Sequence, residues 1–71
     1  MGLYKLSVTI LYWLDSEESP EKKTIEIIKD HFANTHVAAR RELDRLLLNK
    51  RAELEKLGYN VRYEKWKIDQ L

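Results

Sequence analysis

The chain has no cysteine, one proline and two glycines among its 71 residues. Without cysteine there is no disulfide framework and no thiolate chemistry, so a reducing, cytoplasmic setting is expected. Gly2 and Gly58 are too few and too far apart to build a phosphate-cradling loop. No apolar run approaches the roughly 18–20 residues that span a bilayer, and the amino end carries no signal-peptide pattern. Met1-Gly2 matches the start of a myristoylation motif, but Leu6 stands where Ser or Thr is required. Charge of one sign is lacking too: 13 Lys and Arg face 12 Asp and Glu, for a formal net charge of +1. A general polyanion binder or a nucleic-acid mimic needs a large single-sign field, which this balance argues against.

The charge is nonetheless unevenly spread. Residues 15–34 carry Asp15, Glu17, Glu18, Glu21, Glu26 and Asp30 against Lys22, Lys23 and Lys29. From residue 35 onward, basic side chains outnumber acidic ones. Most such patterns are solvated surface; a weakly dipolar molecule that orients on a partner is the functional counterpart. A chain this short makes a single domain over 1–71 and buries a modest share of its surface, so a homodimer or another protein partner is expected.

What is present begins with Tyr4 to Leu14. Its even positions (Tyr4, Leu6, Val8, Ile10, Tyr12, Leu14) are all apolar, while Lys5, Ser7 and Thr9 open the odd set. Such alternation predicts a half-buried strand over 3–14. Leu11 and Trp13 make its far end apolar on both sides, the mark of a central strand. An acidic loop over 15–22 holds the single proline. Two readings compete after it. Ser19-Pro20-Glu21 suits a helix start, with Ile25, Ile28 and Phe32 as its stripe. Thr24-Ile25-Glu26-Ile27-Ile28 is mostly β-branched, which favours a strand over 23–29, and we take the strand.

A helix over 34–57 follows, capped by Asn34 or Thr35. Ala39, Leu43, Leu46, Leu47, Leu54 and Leu57 form its buried stripe, and Lys50 within it must turn its ammonium outward. Gly58 supplies the left-handed stop, with Tyr59 and Leu54 placed for the contact that accompanies it. Tyr59 to Glu64 alternates as a strand, and Lys65 to Ile68 continues it in the opposite phase, which suggests a bulge. That strand is placed at 59–68, with the last three residues frayed.

These elements assemble as an α+β, two-layer ββαβ domain. A right-handed crossover gives an antiparallel three-stranded sheet of order 2-1-3 on one long helix. The even face of the first strand, with Ile25, Ile27, Val61 and Tyr63, meets the helix. The other face is left uncovered. It is expected to carry Lys5, Ser7, Thr9, Leu11 and Trp13 with Ile28, Arg62, Trp66 and Ile68. Leu11, Trp13 and Ile28 are expected at one end, and Trp66 and Ile68 with Leu3 at the other. Contiguous exposed apolar surface and tryptophan are enriched at interfaces. The candidate partner-binding residues are therefore Leu11, Trp13, Ile28, Arg62, Trp66 and Ile68. The outer face of the helix, where Leu48 is the one bulky apolar oddity, is a weaker candidate.

No catalytic site, cofactor or metal is expected. His31 and His36 are five residues apart and do not share a helix face. Ser7, Ser16 and Ser19 have no base partner in any known pattern, and Glu17 and Glu18 fall in a loop that sets no fixed separation.

Two resemblances bear on function. Lys5-Leu6-Ser7-Val8-Thr9-Ile10 resembles the amino-terminal strand of ribbon-helix-helix repressors. That likeness implies a dimeric DNA-binding regulator in which Lys5, Ser7 and Thr9 face bases and residues 20–33 and 36–57 are helices. The strand, strand, helix order ending in Gly58-Tyr59-Asn60-Val61 resembles very short bacteriophage-encoded proteins, including a host RNA polymerase inhibitor. It implies a small, non-enzymatic inhibitor of a larger host protein, with no functional residue carried over. We favour a protein-binding module, with the DNA-binding regulator as the alternative.

Overall fold

Alternation in the first strand dictates the layout. In the computed structural model, which describes residues 2–15 and 21–71, the chain forms β1 (Gly2–Trp13), β2 (Lys23–Ala33), α1 (His36–Lys56) and β3 (Asn60–Gln70). The sheet has the order β2-β1-β3, with β1 antiparallel to both neighbours. This is the two-layer α+β arrangement expected from the sequence. The proposed Ser19-Pro20 helix start and most of the acidic loop lie outside the described residues. Residues 23–33 are extended, however, so the helix pair that a ribbon-helix-helix dimer requires is not formed.

The even residues of β1 point at α1. Tyr4, Leu6, Val8 and Ile10 are buried with Ala33, Ala39, Leu43 and Leu54, and Ile25, Ile27, Leu46, Leu47 and Val61 pack around them. The helix lies along β1: the His36 ring meets Tyr4 edge-on at 6.0 Å, and at the other end Tyr59 meets Tyr12 edge-on at 5.0 Å. At about 25 cal/mol per Å² of apolar surface removed from water, these side chains are the main favourable term in folding.

Local chemistry sets the helix ends. The Thr35 hydroxyl accepts a hydrogen bond from the Ala38 N–H at 3.1 Å, satisfying one of the orphan donors of the first turn. At the other end the Gly58 N–H donates to the Glu55 carbonyl at 3.0 Å and the Tyr59 N–H to that of Leu54 at 3.1 Å. Gly58 has φ +94°, a conformation costly for any residue with a Cβ. Leu57, expected on the buried stripe, is 67 % exposed because it sits at the cap, where the helix has already ended.

Other expectations need correcting. β2 runs four residues past its expected end at 29 because His31 and Ala33 still face the helix. A polar histidine in the inward phase hides that alternation in the sequence. The end of β3 is not frayed: Asp69 and Gln70 pair with Lys5 and Tyr4, and the Leu71 N–H donates to the Leu3 carbonyl at 2.8 Å. Tyr63, placed in the core from the sequence, is 54 % exposed, since it stands on the outer strand at the rim of the helix.

The largest correction concerns Trp66 and Ile68. Thr9 pairs with Lys65 and Ile10 with Tyr63, leaving Glu64 as an extra residue in β3. A bulge of one residue reverses the inward and outward phase of everything beyond it. Trp66 therefore pairs with Val8 and Ile68 with Leu6 on the helix-covered face. The Arg40 guanidinium lies 4.0 Å from the centre of the Trp66 ring and donates to Asp44 at 3.1 Å. Neither Trp66 nor Ile68 belongs to the uncovered face.

Candidate functional site

The sheet has one helix and two faces, and among the described residues no second helix or sheet covers the other face. Its composition is read from the pairing of the odd residues of β1. Leu3 has Phe32 beside it, and Lys5 lies between Asp30 and Asp69. Ser7 lies between Ile28 and Lys67, and Thr9 between Glu26 and Lys65. Leu11 lies between Thr24 and Arg62, and Trp13 is paired with Asn60.

Apolar groups thus gather at both ends of this face, Leu3 and Phe32 at one and Leu11 and Trp13 at the other. Phe32 is 66 % exposed and Ile28 54 %. Lys22 holds its ammonium 5.2 Å from the Trp13 ring, a cation–π contact at the margin of the patch. At the centre Ser7 and Thr9 leave a shallow depression of about 270 Å³, bordered by Glu26, Lys65, Lys67 and the Trp66 segment between those lysines. The smaller residues make the middle concave and the ends raised.

Of the residues singled out from the sequence, Leu11, Trp13, Ile28 and Arg62 are on this face, as are Lys5, Ser7 and Thr9. Ile28 is not beside Leu11 and Trp13, since it is paired with Ser7, two rungs away on the same face. Leu3 gains Phe32 as its neighbour in place of the expected Trp66 and Ile68. Phe32, Lys65 and Lys67 were missed. A signal for Phe32 was present: Ile28, Asp30 and Phe32 continue one phase of β2. A signal for the lysines was the phase switch after Glu64, which turns Lys65 and Lys67 outward once Trp66 is turned in.

The helix side carries a separate charged cluster. Lys29 and His31 of β2 point toward α1, where Lys29 Nζ donates to Glu42 Oε2 at 3.1 Å and His31 Nδ1 lies 3.4 Å from the same oxygen. Arg45 donates to the other Glu42 oxygen. The Arg45 hydrogen bond, aided by that of Lys29 and both positive charges, outweighs partial burial and lowers the Glu42 carboxyl from an ordinary value of 4.5 to about 2. This cluster ties β2 to the helix and leaves no open position beside Glu42, so we read it as structural. Among the described residues no three His, Cys, Asp or Glu side chains are grouped to hold a metal ion, and no helix is long and apolar enough to cross a membrane.

No protein-family model matches this chain, and no curated protein or solved structure matches it. The reading of the surface therefore rests on its own geometry.

Proposed function

We propose that the chain is a non-enzymatic protein-interaction module that docks through the uncovered face of its sheet. The observation that carries this reading is the pair of apolar patches, Leu3 with Phe32 and Leu11 with Trp13, at the two ends of one flat surface. Large aromatic side chains supply most of the binding energy where such surfaces meet a partner. Polar residues between them provide the register that a purely apolar surface lacks.

A protein suits this face better than nucleic acid. Lys5, Lys65 and Arg62 resemble the makings of a phosphate-binding surface, but Asp30, Asp69 and Glu26 share the face in register with Lys5 and Thr9. Duplex DNA would meet these carboxylates along with the lysines, and affinity for the phosphate backbone depends on net positive charge at the contact. The partner is either a larger protein, the inhibitory role that the phage resemblance implies, or a second copy. A cytoplasmic setting accords with the cysteine-free composition.

Removing Trp13 is the direct test, with Trp66 as the internal control because it is on the opposite face. Trp13→Ser and Phe32→Ser should abolish association, read by affinity capture and by sedimentation, while Trp66→Ser retains it. Association unchanged in both Trp13→Ser and Phe32→Ser would falsify this assignment of the surface. Gel-shift with duplex DNA at low salt provides the opposing readout: a shift lost in Lys5→Ala and Thr9→Ala would instead support the DNA-binding alternative.

A further inference from the structure

The uncovered face is complementary to itself, and the identity of its occupant follows. On the β2 side of this face the charged residues are Glu26 and Asp30. On the β3 side they are Arg62, Lys65 and Lys67 against Asp69 alone. A two-fold axis laid along β1 in the plane between two stacked sheets exchanges the flanks: each copy's β2 then faces the other copy's β3 at the same height. Glu26 meets the second copy's Lys65, both being paired with Thr9. Thr24 meets Arg62, both being paired with Leu11. Down the axis Leu3, Leu11 and Trp13 meet their own equivalents, and Ser7 and Thr9 are small enough to let the sheets close. Lys5 brings Asp30 and Asp69 in register as counter-ions. An axis across the strands would instead place the acidic flank on itself.

Resting on the protein-binding reading above, we infer that the partner is a second copy of this chain, packed face to face as a β-sandwich about an axis running along β1. The available area allows it. A 12-residue strand is about 40 Å long and three strands are about 14 Å wide. Each copy then contributes roughly 550 Å², and the pair together just exceeds the roughly 1,000 Å² of a specific interface. Such a dimer is of modest affinity, and its register is set by the flanking charges more than by area. Two sheets stacked this way are about 10 Å apart and about 30° askew.

Sedimentation equilibrium on the purified chain over a wide concentration range should report a species of twice the 8.5 kDa chain mass. Glu26→Lys and Lys65→Glu should each weaken dimerisation roughly tenfold or more, by setting like charges opposite one another. The double variant Glu26→Lys/Lys65→Glu should recover the wild-type constant to within about threefold. A chain without cysteine offers a second measurement. Thr9→Cys places one thiol on the axis, too far from its equivalent for a disulfide, which needs Cα atoms within about 7 Å, but within reach of a short bis-maleimide. The expected product is a cross-linked dimer. A wild-type monomer at every concentration overturns the inference, and if Trp13-dependent capture of another protein persists, the protein-binding reading survives it. A dimer that fails to cross-link at position 9, or that the double variant does not restore, joins through some other surface and overturns the inference equally.

Discussion

The two faces of the sheet are built by the same three strands yet have opposite chemistry. On the helix side the even residues of β1 meet Ile25, Ile27, Val61 and Ile68, and nothing charged enters except where Glu42 neutralises Lys29 and His31. On the other side lysines, carboxylates and hydroxyls alternate with isolated large apolar groups. The molecule is accordingly thin: its radius of gyration is 14.0 Å, against about 11 Å for a compact chain of this length. A single helix can complete one face of a sheet. The difference teaches that stability is concentrated on one side and leaves the other free to carry recognition.

Breaking the covered face should have the largest effect. Leu6 and Ile10 are wholly buried, so Leu6→Ala or Ile10→Ala should cost about 2–4 kcal/mol in urea unfolding. Thr9→Ala, one residue from Ile10 on the other face, should cost well under about 1 kcal/mol. Equal losses at the two positions would show that both faces are covered.

Next comes the link between β2 and the helix. The Glu42 carboxyl has its pKa depressed in the folded state, so its contribution is fully present above about pH 4.5 and is lost as pH falls toward about 2. Acid unfolding followed by circular dichroism should show this loss in the wild type. Glu42→Gln should be less stable at neutral pH by about 1–2 kcal/mol and should lack that acid-dependent component. A parallel pair of curves would mean that the cluster contributes nothing.

A change of about 1 kcal/mol is expected at Gly58→Ala, because φ +94° is strained for alanine although there is open space around the added methyl. The loss should appear in thermal melts without any change in association.

The smallest structural effect is expected from deleting Glu64. The pairing of Thr9 with Lys65 and Ile10 with Tyr63 survives removal of the extra residue, so Trp66 stays over Arg40. Its fluorescence maximum should hardly move, and stability should change by about 1 kcal/mol or less. A red shift would mean that Trp66 had turned outward. That result would show the bulge to be needed for its inward placement.

Much of the fold was legible because its signals are local. Alternation in β1, the β-branched run in β2, the Thr35 cap and the Gly58 stop each depend on a few neighbouring residues. The same holds for the strand order, since a right-handed crossover leaves few alternatives. The candidate surface was legible in part. Leu11, Trp13, Ile28 and Arg62 follow from simple alternation before the bulge, whereas Trp66 and Ile68 follow it. The phase switch signalled the extra residue, but assigning both residues to the uncovered face ignored the switch. Phe32 was lost with the end of β2, because His31 in the inward phase reads as polar until its contact with Glu42 is known.

By itself the sequence determined which segments are strand or helix, where the helix ends, and that one strand lies between two others, all consequences of backbone preference and short-range periodicity. Only the tertiary structure decided which side chains share a face. Cross-strand pairing fixes that, and one surplus residue at Glu64 was enough to send Trp66 to the helix and Lys65 and Lys67 to the open side. The physical reason is that a strand's side chains repeat every two residues, so a shift of one in register exchanges inside for outside.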